Sequence, residues 1–352
     1  MHMADALISP AVGGAMWAAT AGLTFYSARK LKENMDDSRT PLMGVLGAFI
    51  FAAQMINFTI PATGSSGHLG GGMILAILLG PYAAFITMAS VLTIQALFFA
   101  DGGLLALGCN IFNLGFFPCF VAYPLIYRRM AGRHPSQRSI LAGAVAASIL
   151  GLQMGSFGVV LETVFSANSE LPFTTFLMLM QPIHLAIGIV EGLITAAVVT
   201  AVWKARPEIL TLAGENRRVG RLAIGHVLAG FLLIAAVVGG VLSWFASDHP
   251  DGLEWSMLHT AGKETFEAPD KGVHSLFAGL QNKTAFLPEY DFMKSDSNKS
   301  AKPETAAAAP DAHQPWPAVN AGASASGLVG GMMTMGLAGF IGFALKKRFR
   351  QR

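Results

Sequence analysis

The chain has 352 residues, of which 53% are hydrophobic and only 13% charged, with a formal net charge of +3. A soluble globular domain carries about a quarter of its residues as charged ones, so this composition excludes an ordinary soluble protein. The basic residues form no stripe or patch of the kind that grips nucleic acid, which leaves a chain built to sit in a bilayer.

Apolar runs of about 20 residues, enough to cross the hydrocarbon core as a helix, recur with no polar face at helical spacing. In chain order the expected spans are 11–28, 41–58, 68–80, 81–100, 103–127, 139–161, 174–203, 222–246 and 327–345. The third is short and glycine-rich, and Pro81 separates it from the fourth, so it is expected to be tilted or to cross incompletely. The fold class that follows is an all-α integral membrane protein, a seven-helix bundle joined to a two-helix module. The expected units are 1–205 for the bundle, 206–221 for a cytoplasmic linker, and 222–352 for the module, with an outer loop at 247–326.

Basic residues set the orientation. Arg29, Lys30, Lys32 and Arg39 follow the first span, Arg128, Arg129, Arg133 and Arg138 the fifth, and Lys204, Arg206, Arg217, Arg218 and Arg221 the seventh. With the tail they place 18 of the 24 Lys and Arg residues on one face, which is expected to be cytoplasmic. An odd number of spans then puts the N-terminus outside and the C-terminus inside. No signal peptide is visible in MHMADALISP, so the first residue is expected to stay. Within the outer loop, Ser247 to Phe292 holds enough Leu, Phe and Trp to be ordered, whereas the stretch from Ser295 onward is Ala/Pro/Asp/Ser-rich and reads as a linker. The two cysteines, Cys109 and Cys119, lie ten residues apart in one apolar run. That is about 15 Å along a helix, so they read as small core residues.

This topology brings the chain start and the glycine-rich stretch GSSGHLGGG, with His68 at its centre, to one outer surface. A free amine at Met1 followed by His2 is a chelating unit. The amine, the backbone nitrogen of His2 and its Nδ1 close a five- and a six-membered ring on one ion, and His68 supplies a fourth nitrogen. Square-planar nitrogen coordination suits Ni(II) or Cu(II), and nitrogen donors suit cobalt as well. Taken singly, His2 reads as a frayed terminus and His68 as part of a flexible loop; together on one face they read better as a site.

The MH start, SGHLGGG, and QALFFADGGLLALGCNIFNLG at Gln95–Gly115 resemble, over residues 1–205, the M component of nickel/cobalt energy-coupling factor transporters. The resemblance implies a metal held by Met1, His2 and His68. It also implies Ni2+ (or Co2+) as transported substrate, a bacterial inner membrane location, and partners in a transmembrane scaffold subunit and separate ATP-binding subunits. The second unit is similar to the N component of the same transporters, whose signature PDGLE stands at Pro250–Glu254 after an outward-running span. The fused order of M then N favours nickel over cobalt.

Membrane-depth polar residues stay open. Asp101 either orients an imidazole or caps a helix; Asn110 and Asn113 are candidates for the surroundings of the metal. His184 and Glu191, seven apart, share a helix face and read as an interhelix pair or as transport residues. Gly44, Ala48 and Ala52 form a small-residue face, suited either to packing inside the bundle or to the scaffold subunit. No GxxxxGK followed by Ser or Thr occurs, so the chain is not expected to be an ATPase or any other enzyme. Two rivals remain, a stand-alone ion-driven metal transporter and an intramembrane metalloenzyme, the latter without the HExxH helix it would need.

Overall fold

The computed structural model describes residues 2–32, 38–132, 134–167, 171–215, 224–293 and 316–350. The protein is an all-α membrane protein with one small hairpin. Helix α1 runs Pro10–Lys32 and α2 Arg39–Gln54. Strands β1 (Phe58–Ile60) and β2 (Ser65–Gly67) follow, then α3 (Gly72–Leu79), α4 (Pro81–Phe99), α5 (Leu107–Ala131), α6 (Gln137–Ser166) and α7 (Phe173–Ala205). After α8 (Pro207–Gly214) come α9 (Gly225–Gly240), α10 (Gly252–Ala261), α11 (Gly272–Thr284) and α12 (Ala321–Arg350).

Among the described residues, α4, α5, α6, α7 and α12 are long and apolar enough to cross a membrane, and α9 is a shorter apolar helix. Apolar side chains such as Phe25, Phe165, Leu233 and Phe340 point outward, as a lipid-facing surface requires. In α5 the turns widen over Phe112–Tyr127, where Pro118 and Pro124 interrupt the regular ladder. Elsewhere small residues let helices touch: Gly188 and Gly192 of α7 lie against Ile149 and Val145 of α6.

The expected span 68–80, set apart as tilted or incomplete, is a short helix. Its helix, α3, has only eight residues, about 12 Å of rise against a hydrocarbon core of about 30 Å. Every residue of α3 is buried, and Gly71 precedes it at φ 78°. At the other end Gly80, at φ 79°, turns the chain against α8, and Pro81 then opens α4. Proline fits a first helical position because its missing N–H would find no partner there. The segment thus passes from His68 through non-helical glycines into a short helix that ends against α8, a path that a sequence rule for helical spans does not anticipate.

Three further readings change. The stretch 59–68 is a hairpin, pairing Phe58 with Gly67 and Ile60 with Ser65. Residues 206–221 contain α8, and the rest of that linker from 216 lies outside the described residues. Glu162, one residue past the expected span 139–161, lies inside α6, buried. The Ala/Pro-rich stretch 295–315 lies outside the described residues.

The two units pack on each other. The Gly44–Ala48 face of α2 lies against α12: a Cβ on Gly44 would come within 2.9 Å of the Met335 carbonyl, and one on Gly331 within 3.8 Å of Ala48 Cβ. Ala52 is buried on the same helix. The small-residue face is therefore filled by this chain's own last helix. At one end of the bundle lie the basic termini of α1, α5 and α7, and at the other the chain start, the hairpin, the turn 100–106 and α10–α11.

Candidate metal centre

The chain start is fixed from the second residue onward. Asn110 takes the backbone N–H of Met3 on its Oδ1 at 2.8 Å and donates Nδ2 to the Met3 carbonyl. That carbonyl also accepts from Gly103 N–H at 2.9 Å, and Asp5 accepts from Ala106 N–H at 3.0 Å. Met3 is fully buried. A segment that would fray in isolation is thereby laced into the turn after α4. Met1 itself lies outside the described residues.

His2 and His68 meet. Their rings are near-parallel, 3° apart, with centroids 5.0 Å apart. Metal–nitrogen bonds of about 2 Å put imidazoles on neighbouring corners of one ion at roughly 4–5 Å between centroids, a spacing these rings match. Stacked planes share no point, however, so one ring has to turn before both hold one ion. His2 Nδ1 lies 3.1 Å from Asp101 Oδ1, and its side chain is 9% exposed. Its Nε2 is buried and has no hydrogen-bond partner among the described residues. The expected chelate ring on Nδ1 is thus not preformed: the imidazole has to leave Asp101 to close it.

His68 follows β2 directly, and its Nδ1 lies 3.1 Å from the Leu69 carbonyl oxygen. Burial pushes its imidazole down to about 3, with His2 adding to the effect, against the pull of the Asp251 and Asp101 carboxylates. It is therefore a neutral, ligand-ready ring at ordinary pH. Burial works against ionising Asp101, but the His2 imidazole and hydrogen bonds from His2 and Tyr290 hold its carboxyl well below the usual range. Asp251 is also held low, burial opposing ionisation and the Glu254 N–H favouring the carboxylate.

The loop bearing His68 hangs on α7. Both oxygens of the buried Glu191 carboxylate accept backbone N–H groups, Gly70 at 2.8 Å and Gly71 at 3.1 Å. Gln54 donates to the Gly70 carbonyl, and Gln95 to Gln54. Glu191 and His184 do not pair; His184 Nδ1 lies 2.8 Å from the Met180 carbonyl. Asn113 is not brought to the site: it donates to Glu162 at 2.7 Å inside the bundle.

PDGLE is an interface as well as a turn. Ser66, two residues before His68, donates its N–H to Pro250 O at 2.8 Å and its hydroxyl to His249 O. Asp251 caps α10 by accepting from Leu253 and Glu254, and Glu254 returns the bond to Asp251 N–H. Gly252 lies flat on α7: a Cβ there would come within 2.6 Å of Ile183 Cγ2 and 3.2 Å of His184 Cε1. The aspartate of the turn thereby arrives beside His68.

The outer segment also grips the other side of the site. Tyr290 donates its hydroxyl to Asp101 Oδ2 while its ring stacks on Phe99 at 5.2 Å. His274 Nε2 lies 2.9 Å from the Ile8 carbonyl, and Gln281 donates to the carbonyls of Ala96 and Gly102. Tyr290, His274, Gln281 and the placement of Asp251 were not read from the sequence. Only PDGLE carried a visible signal, since the others sit in a segment with no periodicity or motif of their own. Both cysteines are buried and free.

The family described as a cobalt uptake substrate-specific transmembrane region matches residues 2–209, and the PDGLE domain matches residues 225–347. The fused nickel transport protein of Rhodobacter capsulatus is 32% identical over 317 residues, 82% of this chain and 88% of that one. A cobalt transport protein of Geobacter sulfurreducens is 31% identical over 255 residues, 68% of this chain and 71% of that one. A crystal structure of a transition metal transporter superposes with a TM-score of 0.52 at 32% identity, over 60% of this chain and 96% of that one.

Proposed function

Because this chain belongs to the nickel and cobalt transport family of cobalt-uptake transmembrane regions, here joined to a PDGLE domain, we propose that it is the substrate-capture component of an importer for Ni2+ or Co2+. The ion binds at the extracytoplasmic end to the amine of Met1, the backbone nitrogen and imidazole of His2, and His68. The observation that carries this reading is the convergence of the His2 and His68 rings, whose centroids lie 5.0 Å apart beside the Asp101 carboxylate. Nitrogen donors in one plane suit nickel, and neighbouring carboxylates offset the charge of a dication.

Energy for inward release comes from separate ATP-binding subunits through a transmembrane scaffold, as energy-coupling factor transporters use. The basic end of the bundle faces the cytoplasm, by the excess of Lys and Arg there. The unit boundaries we adopt are a bundle to residue 205 and an accessory unit from 222, in keeping with the extent of the two matches.

The test is an N-terminal extension. One residue added before Met1 turns the amine into an amide nitrogen and moves it along the chain. Equilibrium dialysis of the purified protein against Ni(II) and Co(II) is expected to show one ion bound per native chain and none per extended chain, with equal thermal unfolding midpoints. Undiminished binding by the extended chain would remove the amine from the site.

A further inference from the structure

Between the two units, above His2 and His68, lies an open cavity of about 850 Å³. Its charged lining is of one sign. Asp5, Asp101, Asp251 and Glu254 form its deeper wall, each already tied into a hydrogen bond with the fold. Asp248, Glu264 and Glu289, exposed residues of the outer segment, complete it. No Lys or Arg is among the described residues that line it, and Lys263, Lys271 and Lys283 of the same segment stay off its wall. His2 lines the same cavity with a side chain 9% exposed, and its buried Nε2 has no hydrogen-bond partner among the described residues. The acidic wall therefore leads to the imidazole at which the ion is to be caught.

Taking the metal-capture reading above as its premise, we propose that this cavity is an electrostatic antechamber: Asp248, Glu264 and Glu289 draw hydrated divalent transition-metal cations in from the outer solution towards His2 and His68. A concave wall of one charge sign focuses the field and raises the local cation concentration, which speeds association. It does little to the escape of an ion already held by nitrogen ligands. The accessory unit thereby contributes arrival rate through its rim, in addition to the contacts that shape the site. The three rim carboxylates make none of the hydrogen bonds described for the site, so neutralising them leaves its geometry in place.

The experiment uses the full chain in lipid nanodiscs, with aqueous Ni(II) followed by stopped-flow quenching of tryptophan fluorescence. Wild type is compared with the triple variant Asp248→Asn, Glu264→Gln, Glu289→Gln at low and at high ionic strength. At low salt the triple variant is expected to associate on the order of tenfold more slowly, with its dissociation rate unchanged. At high salt the two rates converge, because screening removes the advantage. Equal association rates at every salt concentration overturn the antechamber while leaving the capture site standing. A slower rate that persists unchanged at high salt also overturns it, since that marks a local defect. A wild type that binds no Ni(II) overturns the site and the antechamber together.

Discussion

Asp101 shows what one residue contributes. It receives His2 on one oxygen and Tyr290 on the other, so it fixes an imidazole and joins the accessory unit to the bundle. Its bond to Nδ1 has to open before that nitrogen can take an ion, after which its charge stays beside the site and offsets that of a dication. Asp101→Asn removes that charge and is expected to weaken Ni(II) binding on the order of tenfold, read by isothermal titration. Asn113→Ala is expected to cost roughly 1–3 kcal/mol of stability by taking the amide donor from the buried Glu162 carboxylate, with metal affinity nearly unchanged. Equal loss of affinity in both variants would mean that the effect travels through general stability.

His68 gives a pH dependence with a definite sign. Its pKa falls from an ordinary value near 6.5 to about 3 in the folded protein, so below pH 6.5 the unfolded chain binds a proton that the folded chain refuses. The stability tied to a neutral His68 is present above the unfolded value and is lost progressively as pH falls towards the folded one. Wild type is therefore expected to lose more thermal stability between pH 7.5 and 5 than His68→Gln does. Parallel curves for the two proteins would refute the assignment.

At the scale of elements, the site is a meeting of termini and short pieces: β2, the turn after α4, the first turn of α10, and a carboxylate of α7. Gly252 matters because it lets the first turn of α10 lie on α7 beside His184. Gly252→Val places a branched side chain where 2.6 Å separates a Cβ from Ile183, which pushes α10 off and carries Asp251 away from His68. Metal affinity is expected to fall markedly while the long helices stay inserted, as judged by circular dichroism and Ni(II) titration of the same sample. Gly71 makes the complementary point: at φ 78° it lets the chain present its N–H to Glu191 and then enter α3.

For the molecule as a whole, the second unit is a lid and a wall that holds the first. Its last helix fills the small-residue face of α2, and its outer segment clasps the chain start, the hairpin and the turn 100–103 together. Deleting 247–326 removes Tyr290, His274, Gln281 and the Ser66–Pro250 pairing at once. Metal uptake by cells is expected to drop to background while the truncated chain still reaches the membrane fraction. Full uptake by the truncated chain would show that the bundle organises its site unaided.

Sequence alone determined the membrane class, the all-α build and the order of the two matched regions, and it singled out His2 and His68, whose rings meet. Each follows from signals that act over short range or by bulk composition: apolar runs of bilayer length, basic loops, an MH start, a glycine-flanked histidine and PDGLE. Only the tertiary structure decided that 68–80 is mostly a short buried helix, that Glu191 holds the His68 loop, that Asn113 serves Glu162, and that Tyr290 reaches Asp101 across 189 residues of chain. The physical reason is the same in each case. A buried polar group must find a partner wherever packing brings one, and the identity of that partner is set by which helix faces meet, which no local pattern of residues encodes.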